Sequence, residues 1–311
     1  MGSEVALKLP KIDFTRENLK SGTRDWLIAC SDVRQALEEY GCFIVEYGMS
    51  QEFRGQVFGA MKELFDLPTP TKMLNKYDKP MNGYVGQIAG IPLHESLGID
   101  NATNLKATRS FTKLLWPEGN DHFCDTINNY AKLAAEIDQM VTRMIFESYG
   151  VKNYHESYVE STSYLLRLLK NRVPNGNESN LAFITHTDKS FTTILHQNQV
   201  DGLEVDTKDG NKINVKMSPS SFVVVAGDAL MVWSNDRIVS PTHRVIMNGK
   251  VDRYSMGLFA FNNGRITVPE ELVDEEHPLM YKPLDHIGLL YYFRTDEGYK
   301  SKCPVKSYCG I

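Results

Sequence analysis

The spacing of apolar residues changes period along the chain. From Thr23, the positions Trp26, Cys30, Val33 and Leu37 recur at helical spacing and Gly41 supplies a stop, which predicts a helix. Leu9-Pro10-Lys11-Ile12-Asp13-Phe14 before it reads as a short strand entered through a proline. Cys42-Phe43-Ile44-Val45 after it reads as a compact buried strand. A second helix carries Phe53, Val57, Phe58, Met61, Leu64 and Phe65 on one face and ends at Pro68. The longest amphipathic stretch places Ile127, Tyr130, Leu133, Ala134, Ile137, Met140, Val141, Met144 and Ile145 on one stripe, closed by Gly150. Between these helices, residues 68–124 carry several Pro, Gly and Asn and read as loops that could cover a site, with 84–100 as a lid.

Beyond residue 160 the period shortens. Tyr164–Leu169, Leu181–Asp188, Thr192–Leu195, Gly202–Val205, Ser221–Val225, Ala229–Trp233, His243–Met247 and Tyr254–Phe261 are predicted strands. Pro174-Asn175-Gly176, Asp209-Gly210, Ala226-Gly227-Asp228 and Asn248-Gly249 supply turns between many of them. Short strands in succession predict a sandwich or jelly roll, so the expected class is mostly β with helical support. No linker interrupts the chain. A helical region over 1–155 and a β region over 156–311 are expected to form one integrated unit.

Composition removes several function classes. With 42% hydrophobic and 23% charged residues, the 311-residue chain has an ordinary globular make-up. A net charge of −5 gives no footprint for nucleic acid or an anionic membrane. No apolar run approaches the roughly 18 residues of a membrane span. The first residues lack a basic stretch followed by an apolar run, which argues against a secretory signal. Gly2 is a weak start for myristoylation, because Ala6 stands where Ser or Thr is wanted. The five cysteines (Cys30, Cys42, Cys124, Cys303, Cys309) are odd in number and unpaired in spacing, which fits reduced thiols in the cytoplasm. The sequons at Asn101 and Asn177 then carry no consequence. A small-molecule partner and a monomer are expected.

The chemistry gathers around Ile184-Thr185-His186-Thr187-Asp188. Residues i and i+2 of a strand share a face, so His186 and Asp188 project together and supply two thirds of a 2-His-1-carboxylate iron triad. His243, in Ser240-Pro241-Thr242-His243-Arg244-Val245, opens a strand far enough on for the chain to return beside its start, and is the candidate third ligand. His94, His122, His155, His277 and His286 lie in loop-like or helical surroundings, and the parity of His196 depends on an unbroken strand. Arg253 and Ser255 follow, sharing a strand face with Gly257, Phe259 and Phe261. An arginine pointing into a β core calls for an anion. Its planar fork, with the serine hydroxyl, suits a carboxylate.

These phrases together resemble the plant soluble 2-oxoglutarate- and Fe(II)-dependent dioxygenases over nearly the whole chain. The resemblance rests on His186-Thr187-Asp188, His243-Arg244-Val245 and Arg253-Tyr254-Ser255, with support from Tyr40-Gly41-Cys42-Phe43-Ile44-Val45 and Ala226-Gly227-Asp228. Leu115-Trp116-Pro117-Glu118-Gly119-Asn120, His186-Thr187-Asp188-Lys189-Ser190 and Asp201-Gly202-Leu203-Glu204-Val205 look most like a specialised-metabolism subgroup that includes glucosinolate side-chain dioxygenases and steroidal-alkaloid hydroxylases, with auxin-oxidising dioxygenases nearby. The resemblance implies a double-stranded β-helix (jelly roll). It implies Fe(II) on His186, Asp188 and His243, with Arg253 and Ser255 on the distal carboxylate of 2-oxoglutarate. Dioxygen is the second co-substrate and ascorbate a reductant. Decarboxylation to succinate would accompany oxidation of a small specialised metabolite, with hydroxylation the default outcome and desaturation, ring closure or O-demethylation open to a different substrate pose. The family's usual tyrosine on the preceding strand is replaced: aligning Leu166-Arg167 puts Asn171 there, an amide that still bonds a carboxylate at shorter reach. Tyr164, Phe259 and Phe261 are candidate substrate contacts. An ascorbate-driven iron oxidase not using 2-oxoglutarate and a non-catalytic small-molecule binding protein stay open, and a hydrolytic zinc enzyme is disfavoured because no general base stands beside the ligands.

Overall fold

Two β-sheets face each other across a cavity, and helices cover the outer side of the larger one. The computed structural model describes residues 7–309; Gly2 and Ala6 lie outside them. The strands are β1 (Lys11–Asp13), β2 (Cys42–Glu46), β3 (His94–Asp100), β4 (Thr162–Asn171), β5 (Leu181–His186), β6 (Thr192–Gln197), β7 (Leu203–Asp206), β8 (Lys212–Asn214), β9 (Ser221–Ala226), β10 (His243–Ile246) and β11 (Arg253–Asn262). The large sheet runs β1-β2-β9-β6-β11-β4-β3 and the small one β5-β10-β7-β8. Only β1–β2 pairs parallel in these sheets. The region 1–155 contributes β1, β2 and β3, so the large sheet crosses the 155/156 boundary.

The helices begin and end where side chains can satisfy loose backbone groups. Helix α1 (Arg24–Tyr40) is capped by Thr23, whose hydroxyl accepts from the Trp26 amide, and ends at Gly41 with φ 69°. Ser50 caps α2 (Gln51–Asp66) in the same way; a single turn, α3 (Thr69–Lys72), follows. Within the stretch expected to be loops lie β3 and α4 (Leu105–Leu115). Asn120 caps α5 (Asp121–Ser148), against which α1, α2 and α4 pack. The short α6 (His155–Ser161) leads into β4. Even-numbered residues of β4 and β11, among them Leu166, Leu168, Met256 and Leu258, join Phe58, Met61, Ile137 and Val141 in the main core. Odd-numbered residues of the same strands face the cavity.

Three expectations are corrected here. Ala229–Trp233 is not a strand but α7 (Asp228–Trp233): Ala229, Leu230, Val232 and Trp233 are all buried, and an apolar run without alternation fits a buried helical turn as well as a strand. Residues 94–100 are not a lid but the edge strand β3, paired to β4 from His94↔Asn171 to Asp100↔Leu165. What crosses the cavity mouth is the preceding strap, from which Met81 and Val85 reach the cavity. The strap lies close to β3 because Gly98 has no side chain: a Cβ there would stand 2.1 Å from the Asn82 carbonyl oxygen. The third correction concerns Tyr164, which points away from the cavity and donates its hydroxyl to Asp138 on α5 at 2.9 Å.

Asp138 is 1% exposed and also accepts from the Thr192 hydroxyl. Burial raises its pKa from 3.8 to about 6, against the two hydrogen bonds that lower it. The folded chain therefore holds this proton more tightly than the unfolded chain. The associated stability is complete below pH 3.8 and is lost as pH rises to about 6. Denaturant unfolding of Asp138→Asn should show a flatter pH dependence than the wild type across that interval; parallel curves would remove Asp138 as the cause.

Beyond β11, a ribbon of β12 (Arg265–Ile266) and β13 (Leu284–Asp285) and the helices α8 (His286–Tyr292), α9 (Asp296–Lys300) and α10 (Pro304–Tyr308) complete the described chain. All five cysteines are free thiols, four of them buried. No helix is long and apolar enough to cross a membrane among the described residues.

Candidate active site

The ladder between β5 and β10 sets His243 directly opposite His186, with ring centroids 4.3 Å apart. Asp188 stands two residues past the end of β5, which stops at His186, so a segment outside the ladder carries it beside the histidines. Its Oδ1 lies 3.7 Å from each histidine Nε2, and the candidate ligand atoms all lie within 4.8 Å of one another. The outer nitrogens are engaged: His186 Nδ1 bonds the Ile184 carbonyl at 2.9 Å and His243 Nδ1 the Pro241 carbonyl at 3.3 Å. A ring N–H donating outward leaves each Nε2 lone pair facing Asp188, the tautomer a metal needs. Burial, followed by the neighbouring His243, pushes the His186 pKa down and keeps that lone pair free. Asp188 Oδ2 is buried with no hydrogen-bond partner. An unpartnered carboxylate between two imidazoles is costly unless a cation joins it. His186, Asp188 and His243 thus fit an iron ion.

Neighbouring groups hold this segment. Asp228, in the first turn of α7, donates its backbone N–H to the Asp188 carbonyl at 2.8 Å. Its carboxylate pairs with Lys189 Nζ at 2.8 Å and accepts from the Ser240 hydroxyl at 2.7 Å. The phrase Ala226-Gly227-Asp228 is therefore a clamp on the segment that carries Asp188.

The second cluster lies on β11 and its neighbours. Arg253 is 5% exposed and forms no ion pair among the described residues. Its Nε and Nη2 donate to Gln197 Oε1, and its Nη1 to Asn171 Oδ1 at 3.2 Å and Ser255 Oγ at 3.0 Å. Every acceptor is neutral, and burial lowers the pKa to about 10. Asn171 ends β4 and sits opposite Arg253 of β11. Its amide nitrogen meets His94 Nδ1 at 3.2 Å, and His94 Nε2 meets Ser96 Oγ at 3.0 Å. Ser96 in turn accepts from Arg167. His94 is kept neutral, its pKa pushed to about 3 by burial and then by Arg167 and Arg253. Polar side chains thus run unbroken from Arg253 to Arg167 along the cavity wall.

The enclosed space has a volume of about 200 Å³, reaching from the histidines to Arg253. Phe259 and Phe261 both line it; Phe259 lies over Gly257, where a Cβ would meet its ring at 2.8 Å. Sequence reasoning missed His94 and Arg167, which line the cavity, and Gln197, which holds Arg253 from outside that lining. Gln197 is set by the register Ser255↔Gln197 between β6 and β11, which no local pattern encodes. His94 reads as a loop histidine because it lies in the Pro-, Gly- and Asn-bearing stretch 68–124. Arg167 could have been found from its parity with Asn171.

Facing sheets that converge a His-Asp-His cluster and a buried arginine on one cavity define a non-haem iron oxygenase of jelly-roll architecture. Comparison with known proteins narrows the class. The chain belongs to the 2OG-Fe(II) oxygenase superfamily, whose profile matches residues 163–262, while residues 9–118 match the profile "non-haem dioxygenase in morphine synthesis N-terminal". It is 46% identical to the probable 2-oxoglutarate-dependent dioxygenase AOP1.2 of Arabidopsis thaliana, over 94% of this chain and 93% of that protein. It is 33% identical to the Arabidopsis 2-oxoglutarate-dependent dioxygenase AOP3, over 100% and 99%. Among solved structures, the 2-oxoglutarate complex of the Arabidopsis dioxygenase for auxin oxidation 1 superposes with a TM-score of 0.78 at 27% identity, covering 87% of this chain and 99% of that one. The chain is a 2-oxoglutarate-dependent dioxygenase with Fe(II) and 2-oxoglutarate as its cofactor and co-substrate.

Proposed function

We propose that His186, Asp188 and His243 hold Fe(II), that Arg253 and Ser255 hold the distal carboxylate of 2-oxoglutarate, and that the chain oxidises a small specialised metabolite by hydroxylation while 2-oxoglutarate is decarboxylated to succinate. One observation carries the reading: an unpartnered buried carboxylate, Asp188, and an unpaired buried arginine, Arg253, line the same cavity. Bound iron would supply the redox chemistry by which dioxygen attacks an unactivated C–H bond. The protein's part is placement. Gln197 and Asn171 aim the Arg253 fork, Ser255 adds a hydroxyl beside it, and the apolar walls keep water from the reacting atoms. Phe259 and Phe261 are proposed substrate contacts on the wall that continues β11 away from Arg253. The substrate class rests on the likeness to the relatives above. The free thiols support a reducing, cytoplasmic setting, and we take the chain to act as a monomer.

Anaerobic addition of Fe(II) and 2-oxoglutarate should give a visible charge-transfer band, and admission of air should release succinate. Absence of both would sink the reading. Arg253→Lys keeps the charge but loses the two-pronged fork, and should raise the 2-oxoglutarate dissociation constant about tenfold. Asn171→Ala leaves that fork less firmly aimed and should weaken the same binding by about 5-fold, in line with one lost hydrogen bond. Unchanged affinity would remove Asn171 from the co-substrate site.

A further inference from the structure

Arg167 is a second buried arginine in the cavity that the co-substrate reading leaves unused. It is 8% exposed, forms no ion pair among the described residues, and has its pKa lowered to about 10 by burial with no acid to offset it. Its cross-strand partners are both glycine, Gly98 of β3 and Gly257 of β11, so neither directly paired residue sets a side chain beside it, and the nearest ring is that of Phe259 over Gly257. Its Nη1 donates to the Met81 and Gly83 carbonyls and its Nη2 to Ser96 Oγ. Those neutral acceptors leave Nε–H and one Nη2–H without a protein partner.

A count of charge in the loaded cavity isolates this residue. Lys189 is paired with Asp228. The two charges of Fe(II) are matched by Asp188 and the 2-oxo acid carboxylate of 2-oxoglutarate, and the distal carboxylate matches Arg253. Only Arg167 stays uncompensated. Arg167 lies four residues along β4 from Asn171, about 13 Å at the strand rise, which separates it from the anchoring point of a five-carbon diacid.

We propose that Arg167 binds an anionic group of the organic substrate, so that the compound oxidised is an organic acid carrying a carboxylate or sulfonate. The proposal rests on the co-substrate reading above. It differs from a purely structural role, in which Arg167 only fastens the strap through Met81 and Gly83.

The test uses the whole chain loaded anaerobically with Fe(II) and 2-oxoglutarate. Aryl-alkyl carboxylates and sulfonates of graded length, from 3-phenylpropanoate and phenylmethanesulfonate upward, are titrated beside their neutral methyl esters or amides, and perturbation of the charge-transfer band gives the affinity. At least one acid should bind about tenfold or more tightly than its neutral counterpart, the advantage expected of a charge-assisted hydrogen bond. That ratio should fall towards one in Arg167→Gln and recover in part in Arg167→Lys, while the band itself persists. Equal binding of every acid and its neutral counterpart by the wild type overturns the proposal, and needs no variant to fold. A ratio that survives in Arg167→Gln also overturns it. A wild type with no band at all fails at the earlier step and takes both readings down.

Discussion

Asp188→Ala should abolish the charge-transfer band and cut succinate release by at least about 100-fold, beyond what loss of an outer-shell partner costs. The same substitution should leave the metal-free protein as stable as the wild type or make it more stable by about 1–3 kcal/mol, the desolvation cost of a buried polar group without a partner. These opposite signs follow from one fact: Asp188 Oδ2 is buried and unpartnered, with both histidine Nε2 atoms 3.7 Å from Oδ1. Metal should then stabilise the wild type and not the variant, because only the native site of the wild type binds it. Activity and urea unfolding with and without Fe(II) check the set. A marked loss of stability in the metal-free variant would mean that Asp188 serves the fold rather than the metal.

Gly227→Ala should be among the most damaging single-methyl changes. A Cβ at this position would stand 1.9 Å from the Ser190 carbonyl oxygen and 2.6 Å from its carbon, so backbone must move. Gly227 has φ −92°, a value any residue adopts, and close approach alone excludes the methyl. The backbones touch because Gly227 donates to the Phe191 carbonyl at 2.9 Å and Asp228 to that of Asp188 at 2.8 Å. Forcing them apart should cost about 3 kcal/mol, the upper end for overpacking. It should also displace Asp188 from the histidines, so metal affinity falls along with the melting temperature. Wild-type melting behaviour in the variant would show that the approach is softer than its geometry implies.

The metal cluster was legible because His-x-Asp and a later histidine are a compact signal. Its support was not, since β5 ends at His186 and Asp188 lies outside the ladder, held through Asp228. Arg253, Ser255, Phe259 and Phe261 followed from strand parity alone, and the structure places all four on the cavity. The same parity puts Tyr164 on the other face of β4 from Arg167, because an offset of three positions changes face, and Tyr164 lies with Asp138 in the core. Gln197 and His94 depend on which strands pair and in what register, which is fixed only when distant segments meet. The apolar run Ala229–Trp233 carried no period to separate helix from strand, and the burial of every residue in it but Met231 explains why.

The order of strands also bears on how the chain acquires its shape during synthesis. β11, the last strand of the large sheet to be made, lies between β4 and β6, and β2 waits for β9, with Cys42 opposite Val225. Until residue 262 has emerged, β4 and β6 each present an open edge to whatever other strand is near. Pairings of such long sequence separation form slowly, and exposed edges in the meantime invite association between chains. The nascent protein should therefore depend on chaperones until β11 closes the sheet, and a fragment ending before Arg253 should accumulate as aggregate rather than as a partly folded enzyme.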